Sequence, residues 1–260
     1  MGKLSGKNII VTGASRGIGA EIAKLFASEG GNVVCAARTL YEGDHPLEGS
    51  LQKTVDNISE SGGKAVSAAV NISLPEDCER LFEIAKNEFG AVDVLVNNAG
   101  VSLRTAIDDE DYEERFAKSV SILLTSHTRT IRAALPYLRE SGSPRIINIA
   151  STEGLGAIPG NSPYTSSKHG VVGLTRSLAT ELGKEGITVN AICPGPILTA
   201  MTDWIPEEDR DIYSRRRIAL RRYGDPEEVA HITLSLALPA ASYITGAAIP
   251  VDGGLTIRRG

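Results

Sequence analysis

The 260-residue chain is predicted to fold as an α/β protein, with a single Rossmann-type doubly wound parallel sheet of about seven strands and helices on both faces. Short runs rich in Val and Ile, with little alternation, suit parallel strands covered on both sides. Longer segments with apolar residues at helical spacing lie between them. No internal repeat, low-complexity tract or linker divides the chain, so residues 1–260 are expected to form one domain.

The candidate strands are Asn8–Thr12, Asn32–Ala37, Ala65–Asn71, Val92–Asn97, Arg145–Ala150, Ile187–Ile192 and Ala247–Val251. Ala20 to Ser28 is expected to be the first helix. In Ser73–Phe89, Ser73 and Glu76 have capping-box spacing, Cys78, Leu81, Phe82, Ala85 and Phe89 follow one face, and Gly90 stops the helix. Tyr164–Leu182 carries Val171, Leu174, Leu178 and Leu182 along one stripe. Two stretches break the rhythm. Thr39–Ser50 is a polar insertion bearing Gly and Pro. Met201–Arg222 is charged, contains the sole tryptophan, Trp204, and precedes Gly224-Asp225-Pro226. Long loops at the carboxyl ends of such strands surround ligands, so a substrate-loop segment is expected at about 200–222.

A net charge of −5 and a pI near 5.5 argue against general affinity for nucleic acid. Arg215-Arg216-Arg217 and Arg221-Arg222 are read as a solvated helix face. Cys35, Cys78 and Cys193 lack metal-ligand spacing and sit in apolar contexts, which suits buried thiols in a reducing compartment. Met1 to Lys7 is polar and runs into a strand, no apolar stretch is long enough to span a membrane, and Ile257-Arg258-Arg259-Gly260 is not a peroxisomal address. A cytoplasmic location is expected. His45, His169, His127 and His231 receive no chemical role, the last two being read as surface or helix-packing residues.

Thr12-Gly13-Ala14-Ser15-Arg16-Gly17-Ile18-Gly19 follows the first strand and opens a helix. Gly13 suits a tight turn, Gly17 a close approach to a pyrophosphate, and Gly19 close packing of helix on sheet. Ser15, Arg16 and Ile18 complete the turn, and the helix N-terminus offers unpaired N–H groups to phosphates.

The spacing Gly-x-x-x-Gly-x-Gly, with Asn97-Asn98-Ala99-Gly100, Tyr164-x-x-x-Lys168, Pro194-Gly195-Pro196 and Tyr243-Ile-Thr-Gly…Val-Asp-Gly-Gly254, resembles the short-chain dehydrogenase/reductase family almost end to end. The resemblance implies hydride exchange between a nicotinamide cofactor and a carbonyl or alcohol carbon of a small molecule. It implies dimers or tetramers, with Tyr164–Leu182 and the last strand in the interfaces. Asn98, Ala99 and Gly100 would support the cofactor floor. Pro194, Gly195, Pro196, Ile197 and Thr199 would cover the carboxamide side, although Pro-Gly-Pro is also a rigid turn. Asn71 and Ile72 would flank the adenine, with Asn standing where the family usually has Asp.

An acid at the end of the second strand would bind both ribose hydroxyls of NAD. Here Ala37 takes its place and Arg38 follows, while Arg16 in the glycine turn can reach the same spot. Two guanidinium groups suit a phosphate dianion, so NADP(H) is the expected cofactor.

Tyr164 and Lys168 lie one helical turn apart. An ammonium, together with a positive nicotinamide ring, would stabilise the phenolate and lower a pKa that is ordinarily about 10. Lys168 also suits the nicotinamide ribose. Ser151, thirteen residues before Tyr164, has the family's spacing and would orient the substrate oxygen. Many family members carry a relay asparagine in the helix corresponding to Tyr112–Leu138, yet Lys118–Ser126 contains none. Ser119, Ser121 or Thr125 would hold the relay water, or the relay is altered.

Besides a reversible NADP(H) carbonyl reductase or alcohol dehydrogenase, two functions stay open: an NADP(H) sensor, and an isomerase or dehalogenase on the same scaffold. Leu155, Ile158, Met201, Trp204, Ile205 and Tyr213 are expected to form an apolar pocket wall for a lipophilic substrate, or to pack a lid against the body.

Overall fold

A computed structural model describes residues 2–258. Expectations resting on Met1, Arg259 and Gly260 lie outside the described residues. The chain alternates strand and helix: β1 (Asn8–Thr12), α1 (Gly17–Ser28), β2 (Asn32–Ala37), α2 (Leu51–Glu60), β3 (Lys64–Ala69), α3 (Pro75–Phe89) and β4 (Val94–Asn97). There follow α4 (Tyr112–Val120), a π-helical turn (Ser121–Thr125), α5 (Ser126–Leu138), β5 (Arg145–Ile149), α6 (Ser162–Leu182), β6 (Thr188–Pro194), α7 (Glu207–Arg217), α8 (Pro226–Ala237) and β7 (Ala248–Val251).

The seven strands form one sheet in the order β3-β2-β1-β4-β5-β6-β7, every pair parallel. Strand alternation divides the core into two layers. Ile9, Val11, Val33 and Cys35 pack towards Phe26 of α1 and Val229 of α8. Ile10, Val34 and Ala36 pack towards Phe82 of α3 and Ile131 of α5. Both Phe rings are essentially inaccessible, and each such side chain contributes about 1.5–3 kcal/mol by leaving water. All three cysteines are buried and free. Chain order reverses between β1 and β4, and in open sheets of this kind ligands bind at that switch point, beyond the carboxyl ends of the strands.

Strands β1 and β2 have the predicted bounds, as do the end of β4, the start of β5 and the end of β7, and the remaining strand ends move by one or two residues. Strand β3 stops at Ala69 because the Asn71 N–H turns to Asp77 Oδ2 at 2.6 Å. Strand β6 runs on to Pro194, whose neighbour Gly195 donates its N–H to Val251 O at 2.9 Å. Helix α6 starts at Ser162, with Pro163 in the first turn, where a missing N–H costs nothing.

The capping box expected at Ser73 and Glu76 is not formed. Pro75 begins the helix, Leu74 is its N-cap without a side-chain bond, and Ser73 Oγ donates to Asn71 Oδ1 at 2.7 Å. A proline with φ preset for a helix moves the start past Ser73. Gly90 ends α3 in the left-handed region (φ 81°), as expected. No helix among the described residues is long and apolar enough to cross a membrane.

Candidate active site

The glycine turn is built by exclusion. A Cβ on Gly13 (φ 69°) would lie 2.7 Å from Ala99 Cα, and one on Gly19 would run into Gly13 O. The turn therefore presses directly on the end of β4. Asn98 fixes it there, donating Nδ2 to Thr12 O at 2.9 Å and Gly13 O at 3.2 Å, while Thr12 Oγ1 accepts the N–H groups of Asn98 and Ala99. A Cβ on Gly17 (φ 54°) would lie 3.2 Å from Thr199 Cγ2, so the segment after β6 reaches over the turn. Helix α1 has no side-chain cap and no acid in its first turn, leaving its amides open to an anion. These residues fit a dinucleotide.

Arg16 is placed differently from the expectation. Its Nε donates to Glu48 O at 2.8 Å, and its Nη2 to Leu47 O at 3.1 Å and Gly49 O at 2.6 Å. The guanidinium thus pins the 39–50 insertion onto the turn. Burial holds Arg16 below its ordinary pKa, Glu42 opposes this, and Arg38 adds to it. Arg38 itself is exposed. His45 is held low by burial and then by the charges of Arg16 and Arg38, so the insertion brings three nitrogenous side chains towards one region. Asn71 Oδ1 is occupied by Ser73, and Ile72 beside it is buried.

Ser151, Tyr164 and Lys168 come together where β5 ends and α6 begins. Lys168, 3% exposed, donates Nζ to Ile149 O at 2.8 Å and stands 5.6 Å from the Tyr164 ring centroid. Burial lowers its pKa to about 8. The expected lowering of Tyr164 is absent in the protein alone: burial pushes the phenol up to about 12, the Ser151 hydroxyl pulls it down, and Glu153 pushes it further up. The ammonium lies against the ring and bonds to Ile149, so desolvation of the phenolate wins.

The helix without an asparagine contains the π-helical turn Ser121–Thr125, with Leu123 buried inside it. A Cβ on Gly100 would stand 3.2 Å from Leu123 Cδ2, which seats this turn on the end of β4. Ser119 Oγ is buried without a partner among the described residues, while Ser121 and Thr125 are half-buried. His127 is 1% exposed and packs inside the fold, its pKa driven to about 3 by burial and then by Lys168.

The apolar wall is only loosely assembled. Leu155 (39%), Met201 (43%) and Trp204 (68%) leave much of their surface in solvent, and Tyr213 on α7 is half-buried. Sequence reasoning missed Glu153 and Asn161. It also missed a buried polar ladder in which Asn97 Nδ2 donates to Asn148 Oδ1 at 3.0 Å and Thr130 Oγ1 to Asn97 Oδ1 at 2.7 Å. The available signal was polar residues inside otherwise apolar strands. Among the described residues no group of three His, Cys, Asp or Glu is placed to hold a metal ion.

Known proteins share this architecture. A family model described as enoyl-(acyl carrier protein) reductase matches residues 13–256. The chain is 36% identical to 3-oxoacyl-(acyl-carrier-protein) reductase FabG of Thermotoga maritima over 98% of this chain and 100% of that one. It is 36% identical to 3beta-hydroxysteroid dehydrogenase 1 of Eggerthella lenta, covering 99% and 96%. A crystal structure of a short-chain type dehydrogenase/reductase from Mycobacterium marinum superposes with a TM-score of 0.89 at 34% identity, covering 98% and 97%. With its seven-stranded parallel sheet, glycine turn and Ser-Tyr-Lys cluster, the chain belongs to the short-chain dehydrogenase/reductase family, a family of oxidoreductases.

Proposed function

We propose that the chain acts as one NADP(H)-binding domain that exchanges a hydride between the nicotinamide and a carbonyl or secondary-alcohol carbon of a small, lipophilic molecule. The observation that carries this is the convergence of Ser151, Tyr164 and Lys168 at the same carboxyl end of the sheet as the glycine turn. When bound along Gly13, Ser15, Gly17, Ile18, Gly19, Asn98 and Thr199, the dinucleotide supplies or accepts the hydride. Ser151 orients the substrate oxygen. The Tyr164 hydroxyl gives that oxygen a proton during reduction and takes one from the alcohol during oxidation. Lys168, fixed by Ile149 O, holds the nicotinamide ribose and offsets charge on the phenolate.

Preference for the 2′-phosphate rests on Ala37 in place of an acid, on exposed Arg38 and on the shared field of Arg38 and Arg16. The free Arg38 is the direct contact, and Arg16 keeps the insertion beside it. Titrating NADPH against NADH by fluorescence tests this, and tighter binding of NADH would contradict it. We further propose a cytoplasmic homo-oligomer, which sedimentation would check.

An NADP(H) sensor is the second reading, favoured by the buried Leu123 in the π-helical turn and by the high pKa of Tyr164. Replacing Tyr164 by Phe separates the two. A sensor keeps both cofactor binding and its function, whereas an enzyme keeps binding and loses turnover.

A further inference from the structure

Glu153 lies two residues beyond Ser151 and has a position the chemistry described so far does not use. Its N–H donates to Ser151 Oγ at 3.1 Å. Its carboxylate accepts Asn161 Nδ2 at 3.0 and 3.1 Å and Thr165 Oγ1 at 2.6 Å. Asn161 immediately precedes α6, without a side-chain cap bond, and Thr165 follows Tyr164, so the carboxylate is clamped against the helix start that carries the phenol. Among the described residues no Lys, Arg or His forms an ion pair with it. The amide, the hydroxyl and the positive end of the α6 dipole are its compensation, leaving a net negative charge in place.

Asn161 adds a second, independent observation. Its Nδ2 must face the carboxylate, because an amide oxygen there would meet only acceptors. That leaves Oδ1 buried, on a residue 3% exposed, with no donor among the described residues, so it is the carboxylate that fixes the amide. Burial is what chiefly raises Tyr164 on α6 and Tyr213 on α7, and Glu153 adds to both, against Arg217 at Tyr213. The remaining charge beside Tyr164 is Lys168, which is turned to Ile149 O.

We propose that Glu153, held in place by Asn161 and Thr165, forms the polar end of the substrate site, favouring neutral or cationic substrates and turning away those with a carboxylate near the reacting carbon. This rests on the hydride-transfer reading above. An anion brought beside a carboxylate that has hydrogen bonds but no cationic partner is repelled, whereas a neutral molecule is not.

The test compares acetoacetate with its neutral methyl ester as substrates for NADPH oxidation. The wild type should favour the ester by about tenfold or more in kcat/KM, and Glu153→Gln should raise the acetoacetate-to-ester ratio by about tenfold. Glu153→Asp keeps the charge and should hold the ratio near the wild-type value. An NMR titration of tyrosine labelled at Cζ, assigned with Tyr164→Phe, gives a readout independent of turnover: Tyr164 should ionise at lower pH in Glu153→Gln. A wild type that prefers acetoacetate, or a Gln variant that moves neither the ratio nor the titration, overturns the proposal. A wild type that binds NADPH but reduces neither compound counts against the activity proposed above. The inference is then decided by the titration, supported by a downward move and overturned by none. Should Glu153→Gln fail to fold, the wild-type preference decides it.

Discussion

At the cofactor end the side chains that brace the glycine turn are matched, and only the first amides of α1 stay open. Thr12 Oγ1 accepts two N–H groups, Asn98 Nδ2 reaches two carbonyls, and Gly13 and Gly19 leave no room for a side chain. At the substrate end matching stops. Among the described residues Asn161 Oδ1 has no donor and Glu153 no cation, and Met201 and Trp204 are exposed. A turn that must hold a rigid, invariant ligand part is fixed by sterics before anything arrives, which lowers the ordering cost of binding. A carboxylate without a cation and loose apolar side chains leave that end to be ordered by the molecule that binds there.

The largest expected break comes from Lys168→Met, which removes the buried ammonium between the two ends. Turnover should fall about a hundredfold or more. The melting temperature should hold or rise, because a desolvated charge is replaced by an apolar side chain of similar length. Steady-state kinetics with thermal unfolding reads both, and an unchanged kcat would remove Lys168 from the chemistry. Gly19→Ala breaks the cofactor end alone: its Cβ meets Gly13 O, so urea unfolding should show a loss of about 1–3 kcal/mol together with weaker NADPH binding. Arg38→Ala is subtler. It should weaken NADPH about tenfold and leave NADH nearly unchanged, since a single charge-assisted contact to phosphate is lost.

The smallest effect concerns His127, behind Lys168. Its folded pKa of about 3 lies below its ordinary 6.5, so on acidification the unfolded chain takes up the proton first. The stability it allows is complete above pH 6.5 and is lost as the pH falls from there towards 3, by at most about 1.4 kcal/mol per pH unit. Urea melts at pH 7 and pH 5 should show a shallower decline for His127→Asn. An equal decline would place the imidazole in contact with solvent.

The same contrast governs what was legible in the sequence. Strands β1 and β2 and the glycine turn could be read because apolar runs and glycine spacing are local signals. Tyr164, Lys168 and Ser151 were legible through their spacing, but the high pKa of Tyr164 was not, because it depends on burial that only the packed fold creates. Arg16 was read as a phosphate ligand. Its bonds to the carbonyls of 47–49 depend on the path of an insertion whose conformation no periodic pattern specifies. The π-helical turn at Ser121–Thr125 likewise leaves no mark in apolar spacing, and Glu153 gains its meaning only from Asn161 and Thr165 folding onto it.

The central claim is hydride transfer with Tyr164 as the proton donor and acceptor. It is tested most directly by single-turnover oxidation of bound NADPH against a panel of ketones, in the wild type and in Tyr164→Phe, with cofactor affinity measured for both. The wild type should oxidise NADPH with at least one neutral ketone. The Phe variant should bind NADPH within about twofold of the wild type yet react about a hundred- to ten-thousandfold more slowly. A Phe variant as fast as the wild type, or a wild type that binds NADPH and transfers hydride to no member of the panel, would contradict the account.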